Sequence, residues 1–419
     1  MFKKLSSLVL LLVVANVIFA QDTTQKIITG RTNDKSQLNK PYVVLISADG
    51  FRSDFTELYD ATFLKSASVN GVRAKFMTPA FPSLTFPNHY TIVTGLYPAH
   101  HGLVDNTYFD KASGQQYSMG NTKMVGEGKW YGGTPSASFY WVGSEADIQN
   151  TRPTYYYKYN DKINIANRIK AVKDWLSLPE EQRPHMITFY FPEVDHEAHT
   201  YGPNHPLVGD AVKFVDSSVN ALQAELATLN LPINYIFVSD HGMTKVDVDN
   251  TIGMPKAIDT AAMRVPWGDA LIHVYAKDAS KLESTYNELK KDTSISVYKL
   301  DETPDYWHYK KSDDVYNRAG DLIVVPHLPR PFNFSTRKTT LGKHGFDNHH
   351  PDMRATFMAW GPAFKKGLSI DGFDNVNVYP IVAKILGLDY DENSIDGKLN
   401  ILQPMLQPSP TTMKGAKNN

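Results

Sequence analysis

Val44-Leu45-Ile46-Ser47-Ala48-Asp49 is a short apolar run that stops on a carboxylate. The chain repeats the arrangement in Tyr190-Phe191-Pro192-Glu193-Val194-Asp195 and in Ile236-Phe237-Val238-Ser239-Asp240. Runs this short, this apolar and this rich in β-branched and aromatic residues predict strands covered on both faces. The strands are placed at 42–47, 186–191, 235–239, 322–325 and 355–360, with helix-like stretches at 161–176 and 208–229. Such alternation predicts an α/β fold, a mostly parallel central sheet flanked by helices. The stretch 253–343 carries its own strand, helix and strand signals at 270–275, 279–291 and 295–300, which predicts a small inserted α+β lobe. Its Tyr306-Trp307-His308-Tyr309 cluster suits a core better than a lid.

With 43 basic and 44 acidic side chains the formal charge is -1, so no chain-wide field draws in a polyanion. Specific nucleic-acid binding is therefore not expected. Lys3 and Lys4 precede an apolar run from 8 to 20 and then polar Gln21-Asp22-Thr23-Thr24, the pattern of a signal peptide over 1–20. The run is shorter than the ~20 residues that span a bilayer, so no stable membrane insertion is expected after cleavage. The chain has no cysteine. Export without disulfides suits a bacterial periplasm. A polar leader at 21–40 and a tail at 403–419 rich in proline, threonine and lysine are expected to be flexible, leaving 41–402 as the catalytic domain.

Open α/β sheets bind ligands beyond the carboxyl ends of their strands, so Asp49, Asp195 and Asp240 are expected to converge there. Three carboxylates in one place repel unless cations separate them. Histidines stand beside two of them, in Asp195-His196-Glu197-Ala198-His199 and Asp240-His241-Gly242, and Lys343-His344-Gly345 adds another. Imidazole and carboxylate without thiolate is the donor set of a catalytic zinc with an open position. Asp195 and His199 share one face if a helix or turn starts at that strand end, which leaves His196 out. Glu193 fits a ligand or a supporting carboxylate equally. In Pro82-Ser83-Leu84-Thr85-Phe86-Pro87-Asn88-His89-Tyr90, just before the helix-like 90–94, a hydroxyl ahead of a proline marks a helix start. Thr85 by itself reads as an N-cap. A helix N-terminus also attracts phosphate, and a metal there would activate the hydroxyl as a nucleophile.

The ordered set is specific. Ser47-Ala48-Asp49-Gly50-Phe51-Arg52, Thr85 to Tyr90, Thr94-Gly95-Leu96-Tyr97-Pro98 through His101-Gly102 to Asp105-Asn106, Trp141-Val142-Gly143-Ser144-Glu145, Asp195 to His199, Ser239 to Gly242 and His344 together resemble the nucleotide pyrophosphatase/phosphodiesterases of the alkaline phosphatase superfamily. The resemblance implies an alkaline-phosphatase-like fold and two Zn2+ ions. It assigns one to Asp195, His199 and His344, and the other to Asp49, Asp240 and His241 with Thr85 at the open position. It implies that Thr85 attacks phosphorus in line and that water cleaves the resulting phosphothreonine, on a small phosphodiester or nucleotide substrate. Asn106 matches the asparagine that hydrogen-bonds a non-bridging phosphate oxygen beside a backbone N–H near Thr85. Phe86 and Tyr159 occupy the places that stack a base, with Tyr190 lining the same slot; stacking favours nucleotides without selecting one.

One departure from the family pattern falls between Trp130-Tyr131-Gly132-Gly133-Thr134-Pro135 and Phe139-Tyr140-Trp141, where relatives carry a helix of roughly three turns, about 5.4 Å each. Its loss is expected to reshape the nucleotide slot and lower activity. The alternatives are a phosphate monoesterase of the same superfamily, which would add a Lys-x-Arg pair that Phe139-Tyr140-Trp141 lacks, and a non-catalytic relative that binds zinc or nucleotide.

Overall fold

The computed structural model describes residues 23–131 and 141–408; the expected signal peptide and the shortened stretch at 132–140 lie outside them. In chain order the main strands are β1 (Tyr42–Ala48), β2 (Val72–Ala74), β3 (Met186–Phe191), β4 (Ile233–Val238), β5 (Ile272–Ala276), β6 (Ile295–Lys299), β7 (Leu322–Pro326), β8 (Phe357–Trp360) and β9 (Leu368–Ile370). The main helices are α1 (Thr85–Thr94), α2 (Ile165–Leu176), α3 (Glu193–Tyr201), α4 (Pro206–Ala227), α5 (Leu282–Leu289) and α6 (Val378–Leu386).

The central sheet has the order β9-β2-β8-β4-β1-β3. β1 is parallel to β3 and β4, and β9 to β2, while β8 runs antiparallel to both of its neighbours. The sheet is therefore mostly parallel with one reversed strand. Every residue of β1 is buried, and its alternate side chains enter different cores. Val43 and Leu45 join Ile236 and Val238 in one layer with Tyr90, Ile92 and Val93 of α1. Val44, Ile46 and Ala48 join Phe237 in the other, with α2 and α4. Burial on both faces, each side chain contributing about 1.5–3 kcal/mol, is what turned this run into a continuous apolar word in the sequence. On α4, Val208, Val212, Val215, Val219, Leu222 and Leu226 recur at helical spacing and are all buried, so one stripe seals the sheet. α2 starts later than the 161–176 reading because the Asn164 side chain caps it, accepting the Asn167 N–H at 2.9 Å.

The run at 322–325 does not join the central sheet. It forms β7 in an antiparallel sheet ordered Met263–Arg264, β5, β7, β6, with α5 in the same lobe. Burial made the run a strand but carried no information about its partners. Within the aromatic cluster, Trp307 stacks on Phe81 with ring centres 3.8 Å apart, and the buried Tyr309 meets the same ring edge-on. The cluster is thus the seam between lobe and main domain.

Both ends are more structured than expected. Lys26–Ile27 pairs antiparallel with Tyr155–Tyr156, so the leader carries a strand. Gln403–Met405 forms a 3-10 turn with Met405 fully buried, so the folded part runs past 402. Among the described residues no helix is long and apolar enough to cross a membrane.

Candidate active site

Three parallel strands deliver their following residues to one place. β1 leads into Asp49 and Gly50, β3 through Pro192 into α3, and β4 into Ser239-Asp240-His241-Gly242. Gly50 has φ +66°, and a Cβ there would lie 3.0 Å from the Asp195 Cα, so only glycine lets this loop approach α3 so closely. α3 carries both Asp195 and His199 on its first turns. A short pairing of Thr244–Lys245 with Gly342–Lys343 brings in His344.

All three imidazoles are oriented in the same way. Nδ1 of His199 faces the Gly342 carbonyl at 2.8 Å, Nδ1 of His241 the Gly242 carbonyl at 2.9 Å, and Nδ1 of His344 the Ser83 carbonyl at 2.9 Å. A carbonyl only accepts, so each Nδ1 carries the proton and each Nε2 turns a lone pair inward. Those lone pairs face more electron density. The Nε2 atoms of His199 and His344 are 3.1 Å apart, and His241 Nε2 is 2.9 Å from Asp240 Oδ2 and 3.5 Å from Asp49 Oδ1. Asp195 Oδ1 lies 3.5 Å from His199 Nε2 and 3.6 Å from His344 Nε2. Asp49 Oδ1, Asp195 Oδ1 and Asp240 Oδ2 are buried without a hydrogen-bond partner. Asp240 Oδ2 is also 3.2 Å from His89 Nδ1, but that nitrogen is committed to the Thr85 carbonyl at 3.0 Å. Such contacts repel unless a proton or a cation lies between them.

The donor atoms fall into two overlapping groups within 4.8 Å, Asp195-His241-His344 and Asp49-Asp240-His241, each suited to a metal ion. The electrostatics show the same mismatch. Burial, then the charges of Asp240 and Asp195, push the Asp49 carboxyl well above the usual carboxylate range. Against the opposing effect of burial, His241 and His89 hold Asp240 well below it. Burial works to lower His241 too, yet the adjacent Asp240 lifts it above its ordinary value. His344 is held well below by burial, with His241 and His199 adding. The residues present fit a metal cluster better than they fit each other.

Thr85 is the first residue of α1, and Leu84 takes the N-cap position without a side-chain bond. The threonine hydroxyl is therefore not spent on capping; Oγ1 lies 3.2 Å from His241 Nε2, at the edge of the donor cluster. One residue on, the Phe86 N–H donates to Asn106 Oδ1 at 3.0 Å.

The matching family model is that of type I phosphodiesterases and nucleotide pyrophosphatases, over residues 43–347. The chain belongs to this family. It is 32% identical to mouse ectonucleotide pyrophosphatase/phosphodiesterase family member 1, over 91% of this chain and 45% of that protein. It is 30% identical to an uncharacterized pyrophosphatase/phosphodiesterase of Schizosaccharomyces pombe, over 88% of this chain and 81% of that one. The chain thus spans less than half the length of its mouse relative. Among solved structures it resembles murine ectonucleotide pyrophosphatase/phosphodiesterase 5, there an inactive threonine-to-alanine variant in complex with AMP, with a TM-score of 0.81 and 27% identity. That likeness covers 88% of this chain and all of the murine one.

Of the residues singled out in the sequence, Asp49, Asp195, His199, Asp240, His241, His344 and Thr85 are brought together, with Asn106 beside them. The aromatic residues divide. Tyr190 donates its hydroxyl to Asp49 Oδ2 at 2.6 Å, so it braces a member of the cluster. Tyr159 is half exposed and meets Tyr190 edge-on at 6.0 Å. Phe86 is half buried against the main core, and Tyr155 and Tyr157 pack toward Trp175. Glu193 lies outside both donor groups and pairs with Arg168 at 3.3 Å. Sequence reading missed Ser47 and His89, joined at 2.8 Å beneath Asp240, because a serine and a histidine in apolar surroundings carry no signal of their partner.

Proposed function

We propose that this chain is a zinc-dependent hydrolase that cleaves phosphodiester or pyrophosphate bonds of nucleotides or nucleotide-like substrates through a phosphothreonine on Thr85. The observation that carries this reading is the Thr85 hydroxyl, not used as a cap at the start of α1 and 3.2 Å from a His241 nitrogen, at the edge of a cluster in which one oxygen each of Asp49, Asp195 and Asp240 is buried without a hydrogen-bond partner. Asp195, His199 and His344 would hold one zinc, and Asp49, Asp240 and His241 the other. When bound, the pair supplies Lewis-acid stabilisation of the developing charge and a lower pKa for a coordinated hydroxyl.

The chain's own residues account for the rest. The N-terminus of α1 favours the phosphate anion. Thr85 Oγ1 bonds to phosphorus as the leaving oxygen departs on the opposite side, and water later displaces the threonine and restores its hydroxyl. With Asn106 Oδ1 engaged by the Phe86 N–H, the amide nitrogen is the group left to donate to a non-bridging oxygen. Tyr159 and Phe86 would flank the base, with Tyr190 behind Tyr159. The murine structure, a threonine-to-alanine variant described as inactive and bound to AMP, supports both the nucleotide and the threonine. The basic and apolar pattern of 1–20 supports export, with a bacterial periplasm as the proposed compartment.

The test is hydrolysis by zinc-loaded protein of p-nitrophenyl thymidine monophosphate against p-nitrophenyl phosphate, with Thr85→Ala and chelated controls. Diester preference lost in both controls is the expected result. Monoester preference reassigns the chain as a phosphatase, and binding without turnover makes it a non-catalytic relative.

A further inference from the structure

We infer that the inserted lobe is a positioning device for Asn106, acting through His273 and Tyr309; the inference rests on the role proposed for Asn106 above. The turn that presents Asn106 is braced by the residue before it. Asp105 Oδ1 accepts the Thr107 N–H at 2.9 Å, wrapping the carboxylate around Asn106 as an Asx turn. The other oxygen of that carboxylate lies 3.1 Å from Nε2 of His273 on β5. His273 is itself anchored through Nδ1, 2.8 Å from the Ala319 carbonyl. One residue further back, the Tyr309 hydroxyl donates to the Val104 carbonyl at 2.5 Å.

The same lobe secures both flanks of the turn. Arg318 donates from Nη1 to the Gly102 carbonyl at 3.0 Å and from Nε to Asp110 at 3.1 Å. Asp105, His273 and Tyr309 are all buried, with 4%, 1% and 0% of their surface exposed. A buried polar network of this kind is rigid when every member is satisfied, and loses its geometry when one partner is removed. Asn106 itself reaches the start of α1, where its Oδ1 takes the Phe86 N–H. A donor to developing charge contributes only if it is in place beforehand, and a misplacement near 1 Å can cost about 100-fold. The lobe therefore does more than pack on the main domain. It is the mould against which the phosphate-binding turn is set.

Tyr309→Phe removes one hydroxyl and keeps the ring that packs on Phe81, while His273→Gln can keep one donor but cannot bridge both oxygens. Each is measured for diester hydrolysis in the parent chain and in an Asn106→Ala background, with thermal midpoints. The expected result is a kcat about tenfold lower at a KM within about twofold, an effect that shrinks below about twofold once Asn106 is absent. Equal losses in both backgrounds, or no loss in the parent, overturn the inference. Hydrogen exchange at the Phe86 amide reads the same geometry without turnover: faster exchange in both variants supports it, and unchanged protection overturns it. If Asn106→Ala hydrolyses the diester as fast as the parent, the role assigned to Asn106 falls, and the exchange result still decides whether the lobe sets its position.

Discussion

Tyr190, expected from the sequence to line the nucleotide slot, also makes a contact that the sequence does not announce. Its hydroxyl is spent on Asp49 Oδ2, so its first effect is on a carboxylate of the donor cluster and only its ring is left for a substrate. Partners of this kind tune ligand basicity, and their loss typically weakens metal binding by about 10- to 100-fold. Tyr190→Phe is accordingly expected to lower zinc affinity within that range while the packed ring preserves the fold. Calorimetric titration of the metal-free protein with zinc checks this; an unchanged affinity would reduce Tyr190 to a lining residue. The ligand types themselves were legible, because carboxylates and imidazoles directly after apolar runs have few structural reasons to be there. The bond from the phenol to Asp49 was not, since nothing near Tyr190 in the chain names so distant a partner.

At the scale of elements, the decisive piece is the loop that feeds α1. The sequence marks a helix start here with Thr85 as its N-cap, whereas in the structure Leu84 is the N-cap and Thr85 the first helical residue, and this start makes the hydroxyl available. Asn88, fully buried, fixes it. Its Oδ1 accepts the Ala80 N–H at 2.7 Å, and its Nδ2 donates to the Pro82 and Leu84 carbonyls, each at 2.9 Å. Asn88→Ala would leave the Ala80 N–H and the Asn375 amide without their acceptor, at about 1–3 kcal/mol for each left unpaired, while the Pro82 and Leu84 carbonyls keep the Leu84 and Asn88 N–H groups. We expect a loss of at least about 2 kcal/mol in urea unfolding together with reduced turnover. A variant as stable as the parent would show that the loop is held by other means. α3 owes its placement to Gly342, where a Cβ would meet the Ala198 carbonyl at 2.1 Å. That close approach is what allows the Gly342 carbonyl to orient His199.

For the whole molecule, His100 links three parts of the chain. Its Nδ1 is 2.7 Å from Asp396 near the C-terminal helices, and its Nε2 is 3.7 Å from Asp313 of the lobe. The hydrogen bond to Asp396 raises His100 above its ordinary value, about 6.5 in an unfolded chain. Because the folded value is the higher one, the linkage is fully present below about pH 6.5 and is lost as pH rises through the raised folded value. Asp396, held below the usual range by His100 against its burial, stays charged throughout the range in which His100 titrates. Parent and His100→Gln should therefore differ in unfolding free energy by on the order of 1 kcal/mol at pH 5.5 and by less at pH 8.5. A difference independent of pH would sink the linkage.

Metal removal acts at the same scale. With one oxygen each of Asp49, Asp195 and Asp240 buried and without a hydrogen-bond partner, an ion that binds only the folded chain should stabilise it, by about 2.7 kcal/mol at a hundredfold excess over Kd. Chelator should lower the thermal midpoint and zinc restore it. A midpoint insensitive to both would count against a metal cluster at this site.

The sequence by itself determined the class of the fold and the chemistry of the cluster, for a local reason. A strand covered on both faces must be continuously apolar, a helix start must tolerate proline, and a cluster of carboxylates and imidazoles is built from Asp, Glu and His, so each leaves its mark within a few residues. Tertiary structure alone decided that 322–325 belongs to the lobe, that β8 runs backwards and that the leader pairs with Tyr155–Tyr156. It also decided the imidazole orientations, through carbonyls of Ser83, Gly242 and Gly342 that any residue type could supply. The brace on Asn106 comes from residues far along the chain, and local patterning cannot encode which distant hydroxyl or imidazole meets a given turn.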